Sequence, residues 1–69
     1  MKYAVLFERT GTGYSAHVPN LPGCVAAGST LAETTELIRR AIALHVAGMR
    51  DDGEPIPEAR TIAEYIVAA

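Results

Sequence analysis

Residues 19–23, Pro-Asn-Leu-Pro-Gly, restrict this chain more than any other stretch. Two prolines three apart fix φ at both positions, and each turns the residue before it away from helix. Gly23 then offers a backbone region closed to residues with a Cβ. Within residues 14–30 the order is strand, tight turn, strand, helix cap. A turn this rigid sets two short strands in register. It also projects a stiff surface to which a partner can bind, led by Asn20 and Leu21.

The remaining elements follow from periodicity. Residues 2–8 form a strand with Tyr3, Val5 and Phe7 on one face and Ala4 and Leu6 on the other. Both faces are apolar, so the second face is expected to be covered, by another subunit for example. Residues 9–13, Arg-Thr-Gly-Thr-Gly, are a hairpin loop. The second strand spans residues 14–18, with Tyr14, Ala16 and Val18 opposite Ser15 and His17. The third spans residues 24–27 and breaks at Gly28.

Thr30-Leu31-Ala32-Glu33 is a capping box, and a helix is predicted over residues 31–50. Leu31, Thr34, Leu37, Ile38, Ala41, Ile42, Leu44, His45, Val46, Gly48 and Met49 fall on one broad arc. Glu33, Glu36, Arg39, Arg40 and Arg50 fall on the other. Glu36 and Arg40 make a favourable i,i+4 pair. Gly53 ends the helix. Gly48 costs about 1 kcal/mol against alanine in a helix interior and demands a packing reason. A ring of Tyr3, Phe7 or Tyr14 pressed against it is the expected one, with Ala41 also close to the sheet.

Residues 54–58 must be extended, because prolines alternate there. Residues 62–67 are apolar and rich in β-branched side chains. They predict a fourth strand, with a short helix as the rival. The order β-β-β-α-β makes one α+β domain over residues 1–69: a single long helix on a small, mostly antiparallel sheet.

A 69-residue domain buries only about 60% of its unfolded-chain surface. One cysteine excludes an internal disulfide, and two histidines with one cysteine make a poor metal set. Self-association is the expected remedy, consistent with 49% hydrophobic residues. The net charge of −2 argues against nucleic-acid binding and suits a basic partner. No signal peptide is expected, no run of about 18 apolar residues occurs, and an unpaired cysteine fits an expected cytoplasmic location.

Catalytic chemistry finds little support. His45 sits on the apolar helix arc, where a partly buried histidine is expected. His17 is an exposed or interface histidine. Cys24 has apolar neighbours and is expected to be a buried, inert thiol. No C-x-x-C or H-x₃-H spacing offers a zinc site. Asp51, Asp52, Glu54 and Glu58 run consecutively around a helix end and do not converge from separate elements, as a divalent-metal site requires. Gly11-Thr12-Gly13 lacks the lysine and the following helix of a phosphate loop. Arg39, Arg40 and Arg50 are interrupted by acids and read as a solvated face. No cofactor is expected.

The motif Tyr14-x-Ala16-x-Val18-Pro19-Asn20-Leu21-Pro22-Gly23-Cys24-Val25-Ala26-x-Gly28 is followed by Thr30-Leu31-x-Glu33. Ala41-Ile42-x-Leu44-His45 and Asp52-Gly53-Glu54-Pro55-Ile56-Pro57 come next. In this order they closely resemble the HicB-like antitoxin family over nearly the whole chain. One departure is Asn20, where the family usually has aspartate.

The resemblance implies a partial RNase-H-like fold without that enzyme's catalytic acids. It further implies a homo-oligomer, dimer or tetramer, with an antitoxin role. The partner implied is a small basic mRNA-cleaving toxin of the HicA type. Many family members add a C-terminal DNA-binding domain; residues up to Ala69 hold none, so operator binding is not expected of them. The expected contacts are Asn20, Leu21, Asp51, Asp52 and Glu54. An orphan structural homo-oligomer is the alternative.

Overall fold

Every short strand of this chain is stitched by a specific turn. In the computed structural model, which describes residues 1–69, β1 (Leu6–Arg9), β2 (Tyr14–His17) and β3 (Val25–Gly28) form an antiparallel sheet of order β1-β2-β3. Phe7, Ala16 and Ala26 lie in register on the inner face, and Leu6, His17 and Val25 on the outer one. The Thr10 hydroxyl accepts from the Gly13 N–H at 3.0 Å, and Thr10 N–H donates to the Gly13 carbonyl at 2.8 Å. That closes the first hairpin. The proline turn is held by three backbone bonds: Val18 N–H to Cys24 O, Leu21 N–H to Val18 O and Cys24 N–H to Leu21 O. Gly23 takes φ 82°, as the turn requires.

Helix α1 (Leu31–Asp51) starts and stops where its caps dictate. The Thr30 hydroxyl accepts from Glu33 N–H at 3.1 Å. The Glu33 carboxylate reaches one residue past the cap, to Ser29 N–H at 2.7 Å. At the other end Glu54 N–H donates to Met49 O and Gly53 N–H to Arg50 O, with Gly53 at φ 70°. This is the Schellman arrangement, and it satisfies carbonyls that would otherwise be orphaned. Glu36 pairs with both Arg39 and Arg40, all three exposed.

The core is small: Ala16, Val18, Leu21, Cys24 and Ile38, with Tyr3, Val5, Phe7, Ala26, Ala41, Ile42, Val46 and Met49 packed partly against it. Thr34 is also buried, its hydroxyl donating to Thr30 O at 2.7 Å. Helix α1 lies over β3 and β2, and its backbone stays clear of β1. Two expectations change as a result. Gly48 is exposed, and a Cβ built on it meets nothing within 4 Å, so no ring presses on it. Residues 62–67 form neither a strand nor a short helix in this chain. They run beside β1, with Ala63, Glu64 and Tyr65 across a gap from Val5, Leu6 and Phe7. No backbone bond crosses to β1. With the helix standing over β2 and β3, the apolar side chains of 62–67 have no layer to bury against, and a strand without burial is marginal.

Candidate partner-binding surface

Of the five residues expected to meet a partner, two are engaged within the chain itself. Leu21 is fully buried at 0% exposure. The prolines around it fold the turn inward, so its side chain fills the core and presents nothing outside. The Asn20 Oδ1 accepts from two backbone groups, Arg60 N–H and Thr61 N–H, each at 3.0 Å. It is a clasp for the C-terminal segment. The Tyr3 hydroxyl adds a second clasp, donating to Pro57 O at 2.6 Å. A projecting turn and an inward-folded one have the same local sequence pattern. The core, which lies far away in sequence, selects the second.

The clasp can be tested alone. Asn20→Ala removes the acceptor for both N–H groups, at about 1 kcal/mol per neutral bond. Hydrogen exchange at Arg60 and Thr61 is expected to speed up to the rate of the residues that follow, with the sheet amides little changed. Asn20→Asp keeps a two-bond acceptor and should preserve the protection. Equal protection in wild type and Asn20→Ala would show that the clasp holds nothing.

The other three residues, Asp51, Asp52 and Glu54, are exposed together where α1 ends. Asp51 is the last helical residue and Asp52 the C-cap. Helix carbonyls already make this end negative, so acids here oppose the dipole and cost a few tenths of a kcal/mol. Their summed field is directed outward, and it attracts a cationic surface. Glu58 is drawn off to Arg60 at 3.5 Å.

The remaining polar candidates are not arranged for catalysis. Cys24 is buried and desolvation pushes its thiol up, which disfavours the nucleophilic thiolate. His17 lies exposed on the outer sheet face and His45 is half-buried on α1. No group of three or more His, Cys, Asp or Glu side chains converges.

Sequence reasoning expected apolar surface left over for a partner but did not place it between α1 and β1. Because α1 leaves β1 uncovered, a groove of about 290 Å³ opens between them, lined by Val5, Phe7, Ile38 and Ile42. It continues past Ile42 to Tyr3 and Val46. Beyond it, Ile62, Tyr65, Ile66 and Val67 are exposed. The signal was present in the two apolar faces of residues 2–8 and in a helix arc wider than one small sheet can cover.

Known proteins resemble this chain in sequence and in fold. A model of the HicB-like antitoxins of bacterial toxin–antitoxin systems matches residues 3–69. An uncharacterised 14.9 kDa protein in the rep-hol intergenic region of Haemophilus phage HP1 is 39% identical over 66 residues. That match covers 96% of this chain and 50% of the phage protein, so the chain spans half the length of that relative. A UPF0150 protein of Archaeoglobus fulgidus is 37% identical over 57 residues, covering 78% of this chain and 83% of the relative. One of Synechocystis sp. is 35% identical, with 81% and 72% covered. A chain in the solved HicA3 and HicB3 toxin–antitoxin complex superposes with a TM-score of 0.74 at 27% identity, over 87% of this chain and 70% of that one. By sequence and by fold, the chain belongs to the HicB-like antitoxin family of bacterial toxin–antitoxin systems.

Proposed function

We propose that this chain is a non-catalytic antitoxin module that neutralises a small basic mRNA-cleaving toxin of the HicA type by binding it directly. Family membership over nearly the whole chain is the observation that carries this reading. The fold shared with a chain of a HicA3–HicB3 complex supports the kind of partner. In mechanism, the antitoxin covers the toxin's RNA-binding surface. The exposed acids Asp51, Asp52 and Glu54 steer the basic partner in, and apolar surface beside them holds it. Steering by rim charges acts on the association rate more than on final affinity.

The same composition bears on where and with what the chain works. A net charge of −2, with Arg39 and Arg40 tied to Glu36, leaves no basic patch for RNA or DNA. No helix is long and apolar enough to cross a membrane. The cytoplasm, where mRNA is cleaved, is the proposed location. Exposed Leu44, Ile62, Tyr65, Ile66 and Val67 favour a second property, association into a dimer or tetramer.

The test is co-expression with any small basic protein encoded beside this chain, followed by binding kinetics. The triple variant Asp51→Lys, Asp52→Lys, Glu54→Lys is expected to lower the association rate at low salt at least tenfold and to flatten its salt dependence. An unchanged rate would remove the acids from the interface. A neighbouring basic protein that neither binds nor is neutralised would overturn the antitoxin reading and leave an orphan homo-oligomer.

A further inference from the structure

Thr61-Ile62-Ala63-Glu64 repeats the pattern of Thr30-Leu31-Ala32-Glu33, the capping box that starts α1. The first box is formed. Thr30 Oγ1 accepts from Glu33 N–H, and the Glu33 carboxylate holds Ser29 N–H, one residue before the cap. The second box is followed by no helix, and Ile62, Tyr65, Ile66 and Val67 lie bare. Part of its bonding is nevertheless supplied from elsewhere in the chain. Asn20 Oδ1 holds the N–H groups of Arg60 and Thr61, the counterparts of Ser29 and Thr30. The costly first turn of a helix here has an anchored start.

A surface for such a helix lies beside it. Residues 63–65 form one wall of a cavity of about 340 Å³, and Val5, Leu6 and Phe7 form the other. Val5 and Phe7 also line the groove beside α1, so they are shared between groove and gap. Helical winding gathers Ile62, Tyr65 and Ile66 within about 100° of arc and sends Glu64 to the far side. An extended segment separates Tyr65 from both isoleucines and sets Glu64 on their face. Six helical residues rise about 9 Å, enough to cover the two strand steps from Val5 to Phe7, about 7 Å.

We propose that residues 62–67 are a hinged lid: with Asn20 holding the hinge at Arg60 and Thr61, the segment winds into a short helix and closes Ile62, Tyr65 and Ile66 onto Val5, Leu6 and Phe7. The structure shows the lid open. Winding and closing depend on each other. A helix this short is marginal alone in water, and its apolar side chains are buried only on closing. The hinge keeps the segment at a high effective concentration beside β1. A closed lid takes Val5 and Phe7 from solvent, so it competes with any apolar partner for the rim of the groove. The closure is intramolecular and does not depend on the toxin reading.

The experiment is NMR of the full chain, with Ile62→Ser/Ile66→Ser as the lid variant and Thr61→Val as the cap variant. In wild type the Cα shifts of residues 62–67 should move toward helical values, and methyl NOEs should join Ile62 or Ile66 to Phe7. Both signals should vanish in the lid variant and fall at least twofold in Thr61→Val, with the sheet amides unchanged. A mixed-label sample should place the contact within one chain. The apolar dye anilinonaphthalene sulfonate gives a second reading, because it binds exposed apolar surface. Removing two bare isoleucines lowers dye binding if the segment stays open. Losing a lid uncovers β1 and should raise dye binding at least twofold. Coil shifts without a contact to Phe7, helical shifts without that contact, or that contact without helical shifts each overturn the lid. So does a contact between chains, or dye binding that falls in the lid variant.

Discussion

Leu21→Ala is expected to remove most of the chain's stability at 25 °C and to shift its unfolding midpoint sharply down. Leu21 is the largest apolar side chain with no exposed surface, and it joins Ala16, Val18, Cys24 and Ile38 in the core. Truncating a buried leucine costs about 2–5 kcal/mol, because transfer free energy is lost and a cavity stays behind. A single core in a domain of this size rarely supplies more than about 3–5 kcal/mol. One substitution thus removes most of the margin. The check is a urea titration followed by circular dichroism at fixed protein concentration, since self-association adds concentration-dependent stability. Leu44→Ala is the contrast, with an expected change within about 0.5 kcal/mol at concentrations where the chain is monomeric. A Leu21→Ala midpoint close to wild type would mean that the proline turn is an appendage of the core.

Gly13→Ala is expected to cost about 2–3 kcal/mol through overpacking, while Gly11→Ala costs nothing measurable. A Cβ at position 13 collides with the Gly28 carbonyl oxygen and stands 2.9 Å from Ser29 Cα. These are backbone atoms, so no rotamer change relieves the overlap. The end of β3 cannot retreat either. A Cβ at Gly28 would itself lie 2.7 Å from both Glu33 Oε1 and Thr34 Oγ1. Loop, strand end and helix start are stacked with no spare room. Gly11 has open space and no positive φ. Paired thermal melts of the two variants decide the matter, and equal melting temperatures would count against a close-packed corner.

The two glycines show how far the sequence could be read. Gly-Thr-Gly marks a hairpin loop without difficulty. Nothing in it tells which glycine another backbone touches, because that backbone comes from residues 28–29. Asn20 and Leu21 make the same point. Their turn was legible from the two prolines and Gly23, and its backbone bonds are as a rigid turn requires. The direction in which it faces depends on Ile38 and on the segment clasped at Arg60 and Thr61. The acids 51, 52 and 54 were legible as a solvated group at a helix end, and they lie exposed there.

Residues 62–67 mark the limit on the side of secondary structure. Their composition favours a strand, yet a strand exists only when an edge pairs with it and a layer covers it. In this chain α1 occupies β2 and β3, and no ladder forms between β1 and residues 62–67.

Local chemistry alone therefore decided the elements that close on themselves: the capped helix with its Schellman end, the hairpin, the proline turn and the α+β class. Each depends on groups within a few residues, through cap bonds, fixed φ angles and side-chain period. The tertiary structure alone decided which glycine is irreplaceable, that Leu21 is core and Asn20 a clasp, and that α1 leaves β1 and its own leucine flank bare. Those outcomes depend on where a helix comes to rest on a sheet, and that is set by the shape of the whole core.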